Sequence, residues 1–166
     1  CKDLDIEVFD LDAETLATIL NSFGRVDQVG VSFGVIKLKT PDGTEFDFTL
    51  PRRESKTNAG HRGFQVDVDH TMTLSDAAAR RDFTINAIYR CAASGEIHDP
   101  HGGLPDLELR ILKATSPHFA EDPLRVLRGM QFAARFNLTI DPQTAELSRS
   151  LRQEYSSLAV ERVWGE

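Results

Sequence analysis

The chain is 166 residues long, 40% hydrophobic and 27% charged, with a formal net charge of −7 at pH 7 and a pI near 5.2. That length supports one core and a second small subdomain, and no apolar run approaches the ~20 residues that span a bilayer. The acidic balance excludes capture of nucleic acid by overall charge, so RNA contact has to come from local basic clusters.

Two such clusters stand out: Arg52 and Arg53 with Lys56, and the spaced arginines Arg125, Arg128 and Arg135. The plainer account of either is a solvated, salt-bridged face. Cys1 and Cys91 fit neither a disulfide framework nor a CxxC metal pattern, so a reducing cytoplasm is the expected setting. Both ends are expected to be cut. The chain starts on a strand-like run and stops at Arg162-Val163-Trp164-Gly165-Glu166 inside a helical pattern.

In chain order, Leu4, Ile6 and Val8 alternate with Asp3, Asp5 and Glu7, the period of a strand with one buried face. Leu16, Ile19, Leu20 and Phe23 recur at helical spacing, and Gly24 reads as the stop. Residues 29–39 are rich in β-branched side chains, Pro41-Asp42-Gly43 is a turn, and 45–50 alternates again, which predicts a hairpin. The polar stretch 53–63 reads as a mobile loop. Ser75 is the expected N-cap of a helix over about 76–90. A turn follows at 99–103, then a short strand near 107–113. Beyond Ser116 the pattern is helical, with Pro123 and Pro142 at first-turn positions. The expected class is α+β: a mixed head over 1–115 and a helical neck over 116–166.

Asp3 and Asp5, two apart on a strand, project from one face and can converge on one point. Paired carboxylates repel unless a cation lies between them, and Mg²⁺ suits such a site because it keeps positions for water and phosphate oxygens. Asp47, on the polar face of the 45–50 strand, is a candidate third acid if the hairpin packs beside the first strand. Such a set supports in-line phosphoryl transfer. Taken alone, alternating acids are more simply the wet face of a strand.

Two further clusters carry polar chemistry. Arg80, Arg81, Asp82 and Asn86 gather charge and an amide in a short span, with Asp82 and Asn86 four apart. They suit a ribose hydroxyl and a triphosphate, or a plain amphipathic helix with local ion pairs. Asp122 reads as an N-cap before Pro123, with Leu124, Leu127 and Met130 on the core side. Asp122 and Arg125, three apart at a helix start, also present an acceptor and a donor to the edge of a base. The histidines at 61, 70, 98, 101 and 118 lack paired ligand spacing and read as ordinary surface or turn residues. No glycine-rich phosphate loop with a lysine is present.

Taken in order, Lys2-Asp3-Leu4-Asp5, Arg80 to Ala87 (RRDFTINA), the segment 99–107 (DPHGGLPDL), and Glu121 to Arg128 (EDPLRVLR) with 132–136 (FAARF) resemble successive motifs of one family. It is that of the class II tRNA nucleotidyltransferases and bacterial poly(A) polymerases. The resemblance spans nearly the whole chain. It implies a polymerase-β-like head joined to a helical neck. It also implies Mg²⁺ held by Asp3 and Asp5, and transfer of CMP and AMP from CTP and ATP to the 3′ end of tRNA or another RNA.

The strand Asp47 to Arg52 is similar to the family segment carrying a third acid. By the same resemblance Asp82 meets the ribose, while Arg80, Arg81, Asn86 and Arg128 help to hold the nucleotide. Asp122 and Arg125 act as a protein template for the incoming base. The loop over 53–63 resembles the segment that switches specificity from C to A, which favours A addition. A Gly-Gly-x-x-Arg-Asp segment is expected upstream of Lys2, and tRNA-gripping helices beyond Glu166, so the chain alone is expected to be weakly active or inactive. CCA addition, CC-only or A-only addition and polyadenylation share these motifs. A non-catalytic RNA- or nucleotide-binding module is the alternative of a different class, and the intact Asp3/Asp5 pair speaks against it.

Overall fold

The structure is a computed structural model. It describes residues 4–27, 34–56 and 64–165, with the backbone alone for 54–56, 64–66 and 156–157. It divides into two compact units, Cys1–Thr73 and Leu74–Glu166. Among the described residues no helix is long and apolar enough to cross a membrane.

The first unit is an α+β layer. Strand β1 (Asp5–Glu7) is followed by helix α1 (Ala13–Leu20), then β2 (Arg25–Asp27), β3 (Val35–Lys39), β4 (Glu45–Thr49), β5 (Arg52–Lys56) and β6 (Phe64–Val68). The main sheet runs β1-β4-β3-β2, with β1 parallel to β4 and the other pairs antiparallel. Alternation puts Ile36 and Leu38 on one face, where they pack with Leu16, Ala17, Leu20 and Leu50. Asp12 starts α1 by accepting the Thr15 amide at 2.8 Å.

The expected hairpin is present as β3–β4, while residues 28–33 lie outside the described residues. Two expectations change in this unit. The helix closes on Asn21, and Phe23 lies beyond it, exposed. Gly24 is instead required by the sheet, because a Cβ there would run into the Lys39 carbonyl. The polar run from Arg53 is not loop as far as Lys56: β5 pairs antiparallel with β6, Arg53 opposite Asp67 and Lys56 opposite Phe64. A ladder of backbone hydrogen bonds forms whatever the side chains' polarity. The loop expected over the remainder, residues 57–63, lies outside the described residues.

The second unit is mostly helical, with short strands: α2 (Leu74–Ala79), β7 (Tyr89–Arg90), β8 (Ile97–His98), α3 (Gly103–Glu108), β9 (Ile111–Leu112), α4 (Leu124–Phe136), β10 (Thr139–Ile140), α5 (Pro142–Ser150) and α6 (Val160–Gly165). Its core gathers Phe83, Leu112, Phe119, Val126 and Leu151. Phe83 is fully buried, its ring 5.6 Å from Phe119 and 5.9 Å from Phe132.

The helix expected over 76–90 is the main correction. It ends at Ala79, and Thr84–Asn86 forms only a 3-10 turn. Backbone pairing elsewhere wins: Phe83 bridges Ala114, Thr84 N donates to Lys113 O at 2.9 Å, and Thr115 N donates to Asp82 O at 3.2 Å. The Ser116 hydroxyl donates to the Ala79 carbonyl at 2.6 Å, and Asp82 Oδ1 accepts the neighbouring Phe83 amide. Side chains that bond locally to backbone compete with helix in this way. Ser75 lies inside α2 and is not its cap.

The expected turn at 99–103 leads straight into a helix. Asp99 accepts the amides of Gly103 and Leu104 at 2.7 and 2.9 Å, and so starts α3. Gly103 has to be glycine, since any Cβ would collide with the Thr84 carbonyl. The buried side of α4 is Leu124, Val126 and Gly129, not Leu124, Leu127 and Met130; Met130 is exposed. Asp122 stands one residue outside the cap position, held by Pro123, yet still accepts the Leu124 amide at 3.1 Å.

Candidate active site

In the first unit the strand register builds a row of charge. Asp27, Lys37, Asp47 and Asp5 are successive cross-strand partners on β2, β3, β4 and β1. They occupy the face opposite Ile36 and Leu38. The hairpin does pack beside the first strand, which makes Asp5 and Asp47 neighbours. Lys37 Nζ stands 3.2 Å from each Asp47 carboxylate oxygen. That pair is well exposed, so it contributes under about 1 kcal/mol to stability.

Its chemical meaning is that a cation is already accommodated beside Asp47. Two solvent-exposed carboxylates on adjacent strands, Asp5 and the Lys37-paired Asp47, offer the oxygen donors that a hard divalent ion takes, with solvent free to supply the remaining positions. Carboxylate oxygens are the donor chemistry that a hard cation such as Mg²⁺ takes. Asp3 lies outside the described residues, and among those described no group of three His, Cys, Asp or Glu side chains gathers on one point.

In the second unit Asp82 is an organising centre. It is 8% exposed. Its Oδ1 accepts the Phe83 amide at 2.8 Å and Asn86 Nδ2 at 2.9 Å, and its Oδ2 accepts Arg128 Nε at 3.0 Å. The predicted Asp82–Asn86 proximity is thus real, although no α-helix produces it. The Arg128 guanidinium also lies over the Phe132 ring, 5.4 Å from its centre, and Arg81 lies over Tyr89 at 5.7 Å.

Arg125 and Asp122 lie at the start of α4, both oriented by the protein. Arg125 Nη2 donates to the Arg80 carbonyl at 2.7 Å and Nη1 to the His118 carbonyl at 2.9 Å. Arg125 is thereby tied to the segment that carries Asp82. Asp122 Oδ2 accepts Arg162 Nη2 at 2.7 Å. Burial pushes the Asp122 carboxyl up, but the Arg162 guanidinium and the Leu124 amide outweigh it and hold the group below its ordinary value of 3.8. At neutral pH Asp122 is an anion and only an acceptor.

Among the described side chains, neither basic cluster is a bare cationic face. Arg53 pairs with Asp69 at 2.9 Å, and Arg125 and Arg128 turn toward carbonyls and Asp82. Arg135 lies 5.3 Å from the Phe136 ring centre. The His101 ring bonds the Ser75 carbonyl and the His118 ring bonds Glu121.

Sequence reasoning gave no individual role to Lys37, Asp99, Asp106 or Arg162, although Asp99 and Asp106 lie in the 99–107 motif. Asp106 accepts the Thr84 hydroxyl at 2.7 Å and so braces the turn beside Asp82. The alternation of β3 marks Lys37 as a polar-face residue, and the Asp-Pro-His-Gly-Gly run could have marked Asp99 as a cap. Nothing local marks Arg162, whose partner is far away in the chain.

The model of the poly A polymerase head domain family matches residues 1–113. The "Multifunctional CCA protein" of Xanthomonas campestris pv. campestris (strain B100) is 49% identical over 125 residues, covering 72% of this chain and 30% of that protein. Its counterpart in Nitrosococcus oceani is 46% identical over 125 residues, covering 74% and 30%. The crystal structure of the Bacillus stearothermophilus CCA-adding enzyme in complex with CTP superposes with a TM-score of 0.78 at 26% identity. That match covers 97% of this chain and 37% of the enzyme. The chain thus spans about a third of the length of the relatives it matches. It belongs to the poly A polymerase head domain family, and the relatives it matches are named a multifunctional CCA protein and a CCA-adding enzyme.

Proposed function

We propose that this chain is the nucleotide-selecting and transferring part of an enzyme that adds CMP and AMP, from CTP and ATP, to the 3′ end of tRNA. The observation that carries this reading is the pair at the start of α4, with an ionised acceptor, Asp122, three residues from a donor, Arg125, both oriented by protein contacts. Cytosine and adenine each present an exocyclic amino donor beside a ring-nitrogen acceptor; uracil and guanine present an oxygen at the amino position. A carboxylate that only accepts and a guanidinium that only donates match the first two bases and repel the others. The relatives support the same chemistry, since one is named a CCA protein and another is solved with CTP.

The remaining residues take these roles in the proposal. Asp3 and Asp5 would hold Mg²⁺, with Asp47 as the third acid beside Asp5. When bound, the metal supplies charge neutralisation at the triphosphate and a more acidic attacking hydroxyl. Asp82 accepts a ribose hydroxyl, while Arg80, Arg81, Asn86 and Arg128 orient the nucleotide around it. The matched span ends at residue 113, which supports a head over 1–115 and a helical neck over 116–166. A cytoplasmic setting belongs to the same reading, since tRNA is the substrate.

The test supplies a longer protein that carries this chain, extended at both ends to the length of its relatives, with Mg²⁺ and either CTP or ATP. The acceptors are tRNA lacking its 3′ end, tRNA ending in CC, and oligo(A). Ordered addition of C, C and A to tRNA supports the proposal. AMP addition to any RNA end supports the second reading, polyadenylation, which the family's description favours. Nucleotide binding without transfer refutes both.

A further inference from the structure

Basic side chains in this acidic chain mostly face acids: Lys37, Lys39, Arg53, Arg128, Arg149 and Arg162 each pair with a carboxylate. The C-terminal end of α4 is different. Arg110 Nη1 donates to the Phe136 carbonyl at 3.3 Å, and the Arg135 guanidinium lies 5.3 Å from the centre of the Phe136 ring. Among the described residues neither arginine has a carboxylate partner. Both are exposed. Phe136, on which they converge, is 48% exposed, its ring centre 5.9 Å from that of Phe132.

Backbone contacts bring these residues together. The helix closes on Asn137 in the left-handed region, and the Thr139 amide then donates to the Arg110 carbonyl at 2.8 Å as β10 pairs with β9. A cation that bonds a terminal carbonyl suits the C-terminal end of a helix, which uses one of the five N–H groups of Arg110. That account covers the charges but leaves the half-exposed ring between them unexplained. Guanidinium groups beside an open aromatic ring are the combination that holds single-stranded nucleic acid, cations on phosphates and ring on base.

Position supports the same partner. Arg125, Arg128, Phe132 and Phe136 recur at helical spacing and share one face of α4, with the Arg128 guanidinium over the Phe132 ring. From Arg125 to Phe136 the helix rises about 16 Å, the length of about five stacked nucleotides at about 3.4 Å each. We propose that Arg110, Arg135 and Phe136 form a contact for the 3′ end of the RNA acceptor: the guanidinium groups meet its phosphates and the ring takes a base. The inference rests on the reading of this chain as part of an RNA nucleotidyltransferase. It adds a place where the acceptor strand is held, apart from the residues assigned to the incoming nucleotide.

The experiment uses the longer protein that carries this chain, unaltered and as Arg110→Gln, Arg135→Gln and Phe136→Leu. Fluorescence anisotropy gives the Kd for tRNA lacking its 3′ end over a range of salt concentrations, and KM for CTP is measured separately. Each arginine substitution should weaken RNA binding about fivefold and lower the salt slope by about 0.7–0.9, the loss of one phosphate contact. Phe136→Leu keeps an apolar side chain but no ring, and should cost about fivefold in RNA affinity with the slope unchanged. KM for CTP should stay where it is. A merely structural role would weaken CTP and RNA alike, and that outcome overturns the proposal. Affinity lost by the arginine variants with no change of slope also overturns it. Should Arg110→Gln fail to fold, Arg135→Gln, at an exposed position, carries the test. If the unaltered protein binds no RNA, the underlying reading fails; if it binds RNA and all three variants bind equally well, only this contact fails.

Discussion

Asp82 and Arg128 form an inward-facing ion pair, Nε to Oδ2 at 3.0 Å, and the same carboxylate caps the Phe83 amide and grips the Asn86 side chain. Each partner is a donor, so the site demands an acceptor on both oxygens. Asp82→Asn replaces one oxygen with a donor and sets it against the Phe83 and Asn86 N–H groups or against Arg128. Loss of a satisfied, charge-assisted bond in a buried setting costs about 1–3 kcal/mol. Urea unfolding should show that loss, and ATP affinity should fall with it. Unchanged stability would contradict the assigned network.

Phe83 is the centre of the second unit's core. It is fully buried against Phe119 and Phe132, and its ring comes so close to Gly129 that an added Cβ there would lie 3.0 Å away. Phe83→Ala should cost about 3–5 kcal/mol, the range for truncating a packed aromatic residue. Calorimetry would show a lowered melting temperature.

Gly103→Ala tests a different mechanism, since this glycine is demanded by close approach of the Thr84 backbone. A methyl group there has to push α3 away from the turn that carries Asp82. We expect a destabilisation of about 1–3 kcal/mol by denaturant titration, together with weaker nucleotide binding. Tolerance of alanine would show that the two segments pack less tightly than described.

Asp5→Ala and Asp47→Ala should separate chemistry from stability. Asp5 is exposed and the Lys37–Asp47 pair is open to solvent. Either substitution should therefore shift unfolding free energy by no more than about 0.5–1 kcal/mol. Transfer of CMP by a longer protein carrying the substitution should nevertheless fall below detection, as should metal-dependent quenching on titration with Mn²⁺. Retained transfer would remove these acids from the mechanism.

The Asp122–Arg162 pair has a pH signature. The folded carboxyl lies below its ordinary 3.8, so the folded state holds its proton less tightly than the unfolded chain does. The stabilisation is fully present above the ordinary carboxylate range and is lost as pH falls through the lowered folded value. Wild type should exceed Arg162→Gln by about 1 kcal/mol near neutral pH. The gap should close on acidification below the ordinary value. A gap independent of pH would assign the effect to packing of α6.

Much of this protein is written in local pattern. The alternation around Asp5 and Asp47, the turn at Pro41–Gly43 and the Asp141-Pro142 start of α5 are short-range events of backbone propensity and capping. They are therefore legible one segment at a time. The motif order from Asp3 to Arg128 was equally visible, because a family's chemistry constrains residue type at each position. The stretch 76–90 shows the limit of that reading. Its helical spacing is genuine, but the Lys113–Thr115 backbone offers Asp82, Phe83 and Thr84 partners that no local rule foresees.

Composition and periodicity by themselves determined the α+β class, the polar face of the first strand and the identity of the charged clusters. Those properties follow from side-chain chemistry repeated at the period of a strand or helix. The tertiary structure alone decided that β4 lies beside β1, that Arg125 is fastened to the Arg80 carbonyl, and that Arg162 closes on Asp122. Each is a contact between residues remote in sequence. It forms because burial and unsatisfied polar groups are resolved over the whole unit at once, not along the chain.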